Sequence, residues 1–213
     1  MKRYYAEALG TFALVFCGTG AIVINQETSG AITHVGIAFT FGLIVMVMIY
    51  ALGPVSGAHL NPAVTIAFSV AKRFPVKEIL PFIVSQGAGA FLASLTLRLL
   101  FPANELLGST MPAGTELQSF VLEAILTFFL MLVIIQVATG SKEQGKVAGL
   151  AIGGTVLLEA MFAGPICGAS MNPIRSLSPA VISGHLEHLW IYLVAPVLGA
   201  VIAIFSWRMI KTE

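Results

Sequence analysis

Residues 57–63 read Gly-Ala-His-Leu-Asn-Pro-Ala, and residues 168–174 read Gly-Ala-Ser-Met-Asn-Pro-Ile. Both copies share the pattern Gly-Ala-x-x-Asn-Pro, and their asparagines, Asn61 and Asn172, lie 111 residues apart. Asn followed by Pro predicts a helix start, because the Asn side chain caps the first turn and Pro fits the first helical position. The sequence therefore predicts two helices that begin at equivalent points of an internal repeat.

The helices predicted after these motifs are too short to cross a membrane. Their apolar runs extend over residues 63–70 and 174–182. At ~1.5 Å per residue, each covers about half of a ~30 Å hydrocarbon core. Half-helices at corresponding positions of a repeated membrane protein indicate a pore or a binding site.

The composition is that of a membrane protein. Hydrophobic residues make up 57% of the chain and charged residues 10%, with a mean hydropathy of +0.94, whereas a soluble domain carries roughly 25% charged residues. Six apolar segments are long enough to span a bilayer. They are Tyr4–Ile24, Thr33–Leu52, Ile79–Leu100, Leu117–Ala138, Val147–Ala163 and Leu189–Ile210. We therefore expect an all-α protein with six transmembrane helices and two re-entrant half-helices in a lipid bilayer.

An inverted repeat is visible within the chain. Glu7 opens the pattern Glu-Ala-x-x-Thr-Phe, and Glu123 opens the same pattern in the second half. Each half contains three spans, and because three is odd the second half enters the membrane upside down. We expect one channel domain over residues 1–213, with repeats at about 1–102 and 117–213. The two half-helices then meet by their N-terminal ends near the midplane.

The basic residues predict the orientation. Nine of the eleven Lys and Arg residues fall on one side of the six-span topology, which marks that side as cytoplasmic. They are Lys2, Arg3, Lys72, Arg73, Lys77, Lys142, Lys146, Arg208 and Lys211. We expect a multi-pass protein of the plasma (inner) membrane with both termini in the cytoplasm. The net charge of +1 gives no indication of nucleic-acid binding.

Asn61 and Asn172 indicate how the pore excludes ions. If each side-chain oxygen caps its own helix, the amide NH₂ groups remain as donors at the pore centre. Water held there turns its oxygen toward these donors, and the positive ends of both half-helices meet at the same place. Both effects oppose the passage of protons and cations but not of neutral solutes. Arg175 is expected to add a cation barrier near the outer mouth, since intramembrane charges normally face a cavity.

Other polar residues leave alternatives open. Glu7 and Glu123 are expected to accept backbone N–H groups from the unwound segments before the half-helices, with a proton relay as the alternative. His59 either lines the inner vestibule or packs as an ordinary side chain. Glu159 has no counterpart in the first half, and its role is open. The two cysteines have no metal-ligand spacing, so neither a metal nor a cofactor is expected.

These motifs resemble those of the aquaporin and glycerol-facilitator family over nearly the whole chain. Within that family, residues 48–53 and 163–173 are most similar to the nodulin-26-like branch and its bacterial relatives. The resemblance implies a homotetramer with one pore in each subunit. It assigns the pore centre to Asn61, Pro62, Ala63, Asn172, Pro173 and Ile174. It assigns the pore backbone to Gly57, Ala58, His59, Gly168 and Ser170.

The resemblance also implies a selectivity filter at Phe41, Ala160, Ala169 and Arg175. Strict water channels carry His where this chain has Ala160. The smaller side chain widens the constriction and leaves an apolar wall opposite the Arg175 donors, which suits a polyol or an uncharged metalloid hydroxide. Ile174 replaces the family's second Ala. It is expected either to narrow the central constriction or to shift the half-helix.

The sequence therefore predicts a passive channel for small uncharged solutes that excludes protons and ions. The solutes are water together with glycerol or metalloid hydroxides such as arsenite or boric acid. A water-selective channel is the first alternative. A secondary transporter with inverted repeats is the second, and it needs an ionisable pair coupled to the site, for which only Glu159 is a candidate. No nucleophile–base pair or metal cluster is predicted near the pore, so enzymatic activity is not expected.

Overall fold

The computed structural model describes residues 1–140 and 145–211, so the prediction for Lys142 lies outside the described residues. Within those ranges the chain forms eight α-helices and a short 3-10 turn at Val76–Glu78, without β-strands. The helices are α1 (Lys2–Glu27), α2 (Thr33–Ser56), α3 (Pro62–Val70), α4 (Ile79–Leu100), α5 (Glu116–Thr139), α6 (Ala148–Cys167), α7 (Pro173–Ser183) and α8 (Leu189–Ile210).

The six predicted spans are confirmed, because α1, α2, α4, α5, α6 and α8 are long and apolar enough to cross a membrane. Helices α1 and α5 exceed their predicted spans by one to three residues at each end, and α2 and α6 end four residues later than predicted. Helix α2 continues to Ser56 and α6 to Cys167, each past an internal proline at Pro54 or Pro165. Proline removes one hydrogen bond to the carbonyl four residues earlier. In α6 that carbonyl is Met161 O, which accepts instead from His34 Nε2 at 2.7 Å.

The two half-helices are also confirmed. Helix α3 has 9 residues and α7 has 11, so each covers only about half of the hydrocarbon core. Both begin at Asn-Pro as predicted, with the asparagine in extended backbone and proline at the first helical position. The Asn61 side chain accepts from Ala63 N, and the Asn172 side chain accepts from Ile174 N and Arg175 N. These bonds satisfy N–H groups that have no partner inside a helix.

The helices pack as an inverted pair of repeats. Helix α1 packs against α2 and α4, and α5 packs in the same way against α6 and α8. Helices α2 and α6 join the two repeats. The half-helix α3 contacts α4 of its own repeat and α8 of the other, and α7 contacts the same two helices. Each half-helix is therefore held by both repeats.

One glycine in each repeat permits a very close helix crossing. A Cβ atom at Gly89 of α4 would overlap the Ala8 carbonyl of α1. A Cβ atom at Gly199 of α8 would overlap the Ala124 carbonyl of α5 in the same way. Small residues allow such close backbone approach between helices in lipid. These two crossings set the distance between α4 and α1 and the distance between α8 and α5.

Candidate pore

Two unwound segments lead into the half-helices and repeat each other in backbone conformation. Gly57 and Gly168 end α2 and α6 with φ of 91° and 83°, in the left-handed region. Non-glycine residues with positive φ follow at matching places: Ala58 (47°), Leu60 (52°), Ala169 (42°) and Met171 (53°). Each costs on the order of 1–3 kcal/mol, so the surroundings must hold these segments in place.

Two buried carboxylates hold the unwound segments. Glu7 Oε1 accepts from His59 N at 2.9 Å, and Glu7 Oε2 accepts from Leu60 N at 2.8 Å. Glu123 binds the second segment in the same manner, accepting from Ser170 N at 2.7 Å and Met171 N at 2.8 Å. Charge-assisted bonds of this kind are stronger than neutral ones. Each carboxylate thus supplies acceptors to two backbone N–H groups of an unwound segment.

Glu7 has two further donors that compensate its burial. Ser56 Oγ donates to Oε1 at 2.7 Å, and Gln86 Nε2 donates to Oε2 at 2.8 Å. Gln86 was not predicted, although it is the one amide side chain in the span Ile79–Leu100. Gln86 Nε2 also lies 3.0 Å from Thr65 Oγ1 on α3. This amide therefore ties α4 both to the carboxylate and to the first half-helix.

The two motif asparagines reach across the repeat boundary. Asn61 Nδ2 donates to Met171 O at 2.7 Å, and Asn172 Nδ2 donates to Leu60 O at 2.9 Å. The sequence-based interpretation left both amide groups free, whereas each uses one N–H on the opposite repeat. An NH₂ group has two hydrogens, so one N–H of each asparagine is still available for a passing solute.

A cavity of about 440 Å³ runs past both asparagines. It extends from Tyr50 and Lys146 at one end to Phe41 and Arg175 at the other. Its polar lining is formed by the unwound backbone and by the side chains of Tyr50, His59, Asn61, Lys146, Ser170, Asn172 and Arg175. Its apolar lining includes Val45, Ile49, Leu130, Ile134, Ile152 and Val156. The cavity thus has hydrogen-bonding groups along one part of its wall and hydrocarbon along the rest.

The predicted filter residues lie at one end of this cavity. Arg175 is 2% exposed, its Nη1 donates to Gly108 O at 3.0 Å, and its Nε has no hydrogen-bond partner. Phe41 and Ala169 line the same end, whereas Ala160 is buried and is not among the lining residues. Gly108 was not predicted, because nothing in its local sequence marks a carbonyl that binds an arginine 67 residues away.

His59 satisfies both of the alternatives left open by the sequence. It lines the cavity, and its ring also stacks on Phe68 with the centroids 4.8 Å apart. Its Nδ1 lies 3.1 Å from Thr65 Oγ1. The packing fixes the ring, so that one edge borders the cavity while the face rests on α3.

The remaining predicted residues lie beside the cavity. Pro62, Ala63 and Pro173 form the first turns of α3 and α7 and are not among its lining residues. Ile174 packs into an apolar cluster with α1 and α4, and its Cδ1 would be 3.7 Å from a Cβ added at Gly87. Its side chain therefore points away from this cavity. Glu159 is buried with Oε2 unpaired and is also absent from the lining.

The two half-helices, the six spans and the cavity between the repeats are the features of a membrane channel fold. The chain belongs to the major intrinsic protein family, whose model matches residues 1–207. It is 50% identical to aquaporin NIP1-1 of Oryza sativa subsp. japonica over 99% of this chain and 75% of that relative. It is 47% identical to nodulin-26 of Glycine max over 99% of this chain and 78% of that relative.

A solved structure of similar fold supports the same assignment. The X-ray structure of the aquaglyceroporin from Plasmodium falciparum matches with a TM-score of 0.88 and 28% sequence identity. The match covers 98% of this chain and 96% of that one. The family and the branch expected from the sequence motifs are therefore confirmed.

Proposed function

We propose that the chain is a passive channel for water and for small uncharged solutes such as glycerol, arsenous acid and boric acid. The observation that carries the proposal is the 440 Å³ cavity, which passes both asparagines and combines hydrogen-bonding groups with an apolar wall. A polyol or a hydroxide places its hydroxyls on the donors and carbonyls and its carbon or metalloid side on the hydrocarbon. This arrangement orients the solute without binding it tightly.

Ion exclusion follows from the charges at the two constrictions. Arg175 is held at one end of the cavity, and the N-terminal ends of α3 and α7 meet at its centre. Helix N-termini carry partial positive charge. Cations are therefore repelled at both places, while an uncharged solute meets only donors and acceptors. No enzymatic step is part of the proposal.

A secondary transporter is disfavoured by the position of Glu159. Glu159 is the carboxylate that the sequence offers for proton or ion coupling, and in that role it would have to reach the transported solute. Within the described residues, no carboxylate is among those that line the cavity. The water-selective alternative is disfavoured by Ala160, which lacks the imidazole that the family resemblance associates with strict water selection.

We further propose that residues 1–213 form one channel domain, that the chain assembles as a homotetramer, and that both termini are cytoplasmic. Arg3 lies over the rings of Phe74 and Phe82, which puts the N-terminus on the same side as the loop after α3. Lys72 and Arg73 belong to that loop, so these basic residues share a side with Arg3, which supports a cytoplasmic N-terminus under the positive-inside rule. Light scattering of the detergent-purified protein tests the tetramer, and fluorescence of a C-terminal fusion tests the orientation.

Stopped-flow light scattering of proteoliposomes tests the permeability. One preparation is exposed in turn to an osmotic gradient, which measures water flux, and to gradients of glycerol and of arsenous acid, which measure solute flux. Val156→Trp fills the lined cavity and is expected to abolish every flux. Val121→Trp is the matched control, because Val121 is 46% exposed on the outer surface of α5. Glycerol and arsenite rates equal to those of empty vesicles, beside rapid water flow, would establish the water-selective alternative.

A further inference from the structure

A second depression, of about 460 Å³, lies on the molecular surface where the end of α3 meets the end of α8. It shares no lining residue with the pore cavity. Its walls are formed by Ala71, Lys72, Arg73, Trp207, Arg208 and Lys211. Four of these six residues are basic, although the net charge of the whole chain is only +1.

Two of the basic side chains around the depression, those of Arg208 and Lys211, are held by specific contacts. Arg208 Nη2 donates to Val70 O at 2.6 Å, at the C-terminal and therefore negative end of α3. Lys211 Nζ lies 5.5 Å from the ring centroid of Trp207, a cation–π contact with a buried indole. Arg73 is fixed through its backbone, because its N–H donates to Phe68 O at 2.9 Å.

None of these four cations is neutralised within the described part of the chain. In residues 1–140 and 145–211, the one close contact between a carboxylate and a cation-forming side chain joins Glu116 to His188. A single Arg208 donor is used by Val70 O, and a guanidinium has five N–H donors in a planar fork. The depression thus presents unpaired donors and four positive charges to one small volume, which is the chemistry that recognises a phosphate group.

The surroundings indicate a lipid phosphate. The last turns of α8 carry Phe205, Met209 and Ile210, whose side chains are 55%, 87% and 56% exposed. In a spanning helix such residues face acyl chains, so the depression lies at the boundary between hydrocarbon and water. A phospholipid can place its phosphate in the depression and its acyl chains along α8. A soluble phosphate compound gains nothing from the apolar part.

We propose that this depression binds the phosphate of an anionic phospholipid headgroup in the leaflet on the basic side of the protein. Basic pockets at helix ends on that side are a recognised way for membrane proteins to bind such headgroups. Arg208 links the bound phosphate to the last carbonyl of α3, so the lipid is attached to the half-helix that builds the pore centre.

Native mass spectrometry of the detergent-purified full chain with phosphatidylglycerol, and with phosphatidylcholine for comparison, tests the proposal. The double variant Arg73→Gln/Lys211→Gln removes two charges from the depression and spares Arg208 and its bond to α3. We expect phosphatidylglycerol affinity to fall by on the order of thirty-fold, because each basic side chain near an anionic headgroup strengthens binding several-fold. Phosphatidylcholine binding is expected to stay weak in both proteins.

The matched control is Lys2→Gln/Lys77→Gln, which removes two exposed charges that do not line the depression. An equal loss of affinity in both double variants would overturn the proposal, since a general attraction to the basic face would then explain the binding. Equal affinity for the two lipids would overturn it as well. Displacement of the lipid by millimolar inorganic phosphate would identify a soluble anion as the ligand instead. Unchanged solute flux in both variants shows that they fold.

Discussion

The guanidinium carbon of Arg175 lies 5.0 Å from the ring centroid of Phe41. The two residues come from different repeats, and each is fixed from behind. Phe41 lies against Gly18 of α1, where a Cβ atom would overlap its ring, and Arg175 donates to Gly108 O. A cation over an aromatic face is stabilised further when both are shielded from water. Phe41 and Arg175 therefore form a fixed pair at this end of the pore cavity. The width of the cavity there depends on the smaller residues nearby, such as Ala160.

Replacing Ala160 by His tests which residue sets this width. We expect Ala160→His to lower glycerol permeability by about tenfold or more and to lower water permeability much less, because one extra ring in a tight pocket discriminates by size. Stopped-flow swelling measures both rates. Ala160→Val is the control for added bulk without an imidazole. Unchanged glycerol flux in the His variant would remove Ala160 from the filter.

The two carboxylates that hold the unwound segments differ in the number of donors that they satisfy. Glu7→Leu leaves two backbone N–H groups, a hydroxyl and the Gln86 amide without their acceptor, whereas Glu123→Leu leaves the two backbone N–H groups of Ser170 and Met171. We expect a loss of about 4 kcal/mol for Glu7→Leu and about 2 kcal/mol for Glu123→Leu. Denaturant unfolding in detergent measures both, and Glu187→Leu on an exposed turn is the control.

The close crossings at Gly89 and Gly199 predict a sharp sensitivity to one methyl group. Either Gly→Ala change pushes Cβ into a backbone carbonyl of the neighbouring helix. We expect both variants to lose folded protein, as measured by size-exclusion chromatography. Gly154→Ala is the matched control within a helix, since a Cβ there meets nothing within 4 Å. A normal elution profile for Gly89→Ala would contradict the crossing.

Ile174 is expected to contribute to stability and not to selectivity. Its side chain is 5% exposed in the apolar cluster between α1 and α4. Ile174→Ala leaves a cavity there and is expected to cost about 2 kcal/mol or more. Water and glycerol fluxes per folded channel should stay within about twofold of the parent protein, because Ile174 itself is not among the residues that line the pore cavity. A several-fold rise in either flux would place the side chain in the pore.

The sequence predicted the fold well because its decisive signals are local. Asn-Pro starts a helix through contacts with the next two or three residues, and the length of an apolar run shows whether a helix can span. The largest errors fall at Pro54 and Pro165, where the predicted spans ended four residues too early. The helices continue because a proline near a helix end costs only one bond, and in α6 a distant histidine replaces it.

Long-range partners were beyond the sequence for a physical reason. Gly108 approaches Arg175 and His34 approaches Met161 only after several helices have packed, across separations of 67 and 127 residues. The amide of Asn61 was expected to be free, because nothing near it in the sequence indicates that it donates to the Met171 carbonyl. Carboxylate positions were easier to interpret, since the repeat itself pairs Glu7 with Glu123.

The reciprocal bonds between Asn61 and Met171 and between Asn172 and Leu60 have a consequence for biosynthesis. The ribosome adds ~5–20 residues per second, so the 111 residues that separate the two asparagines take several seconds or more to make. Throughout that interval the half-helix α3 is in the membrane before Met171 exists, so the Asn61 amide lacks its acceptor. The first repeat can therefore finish folding only after the second repeat has been translated.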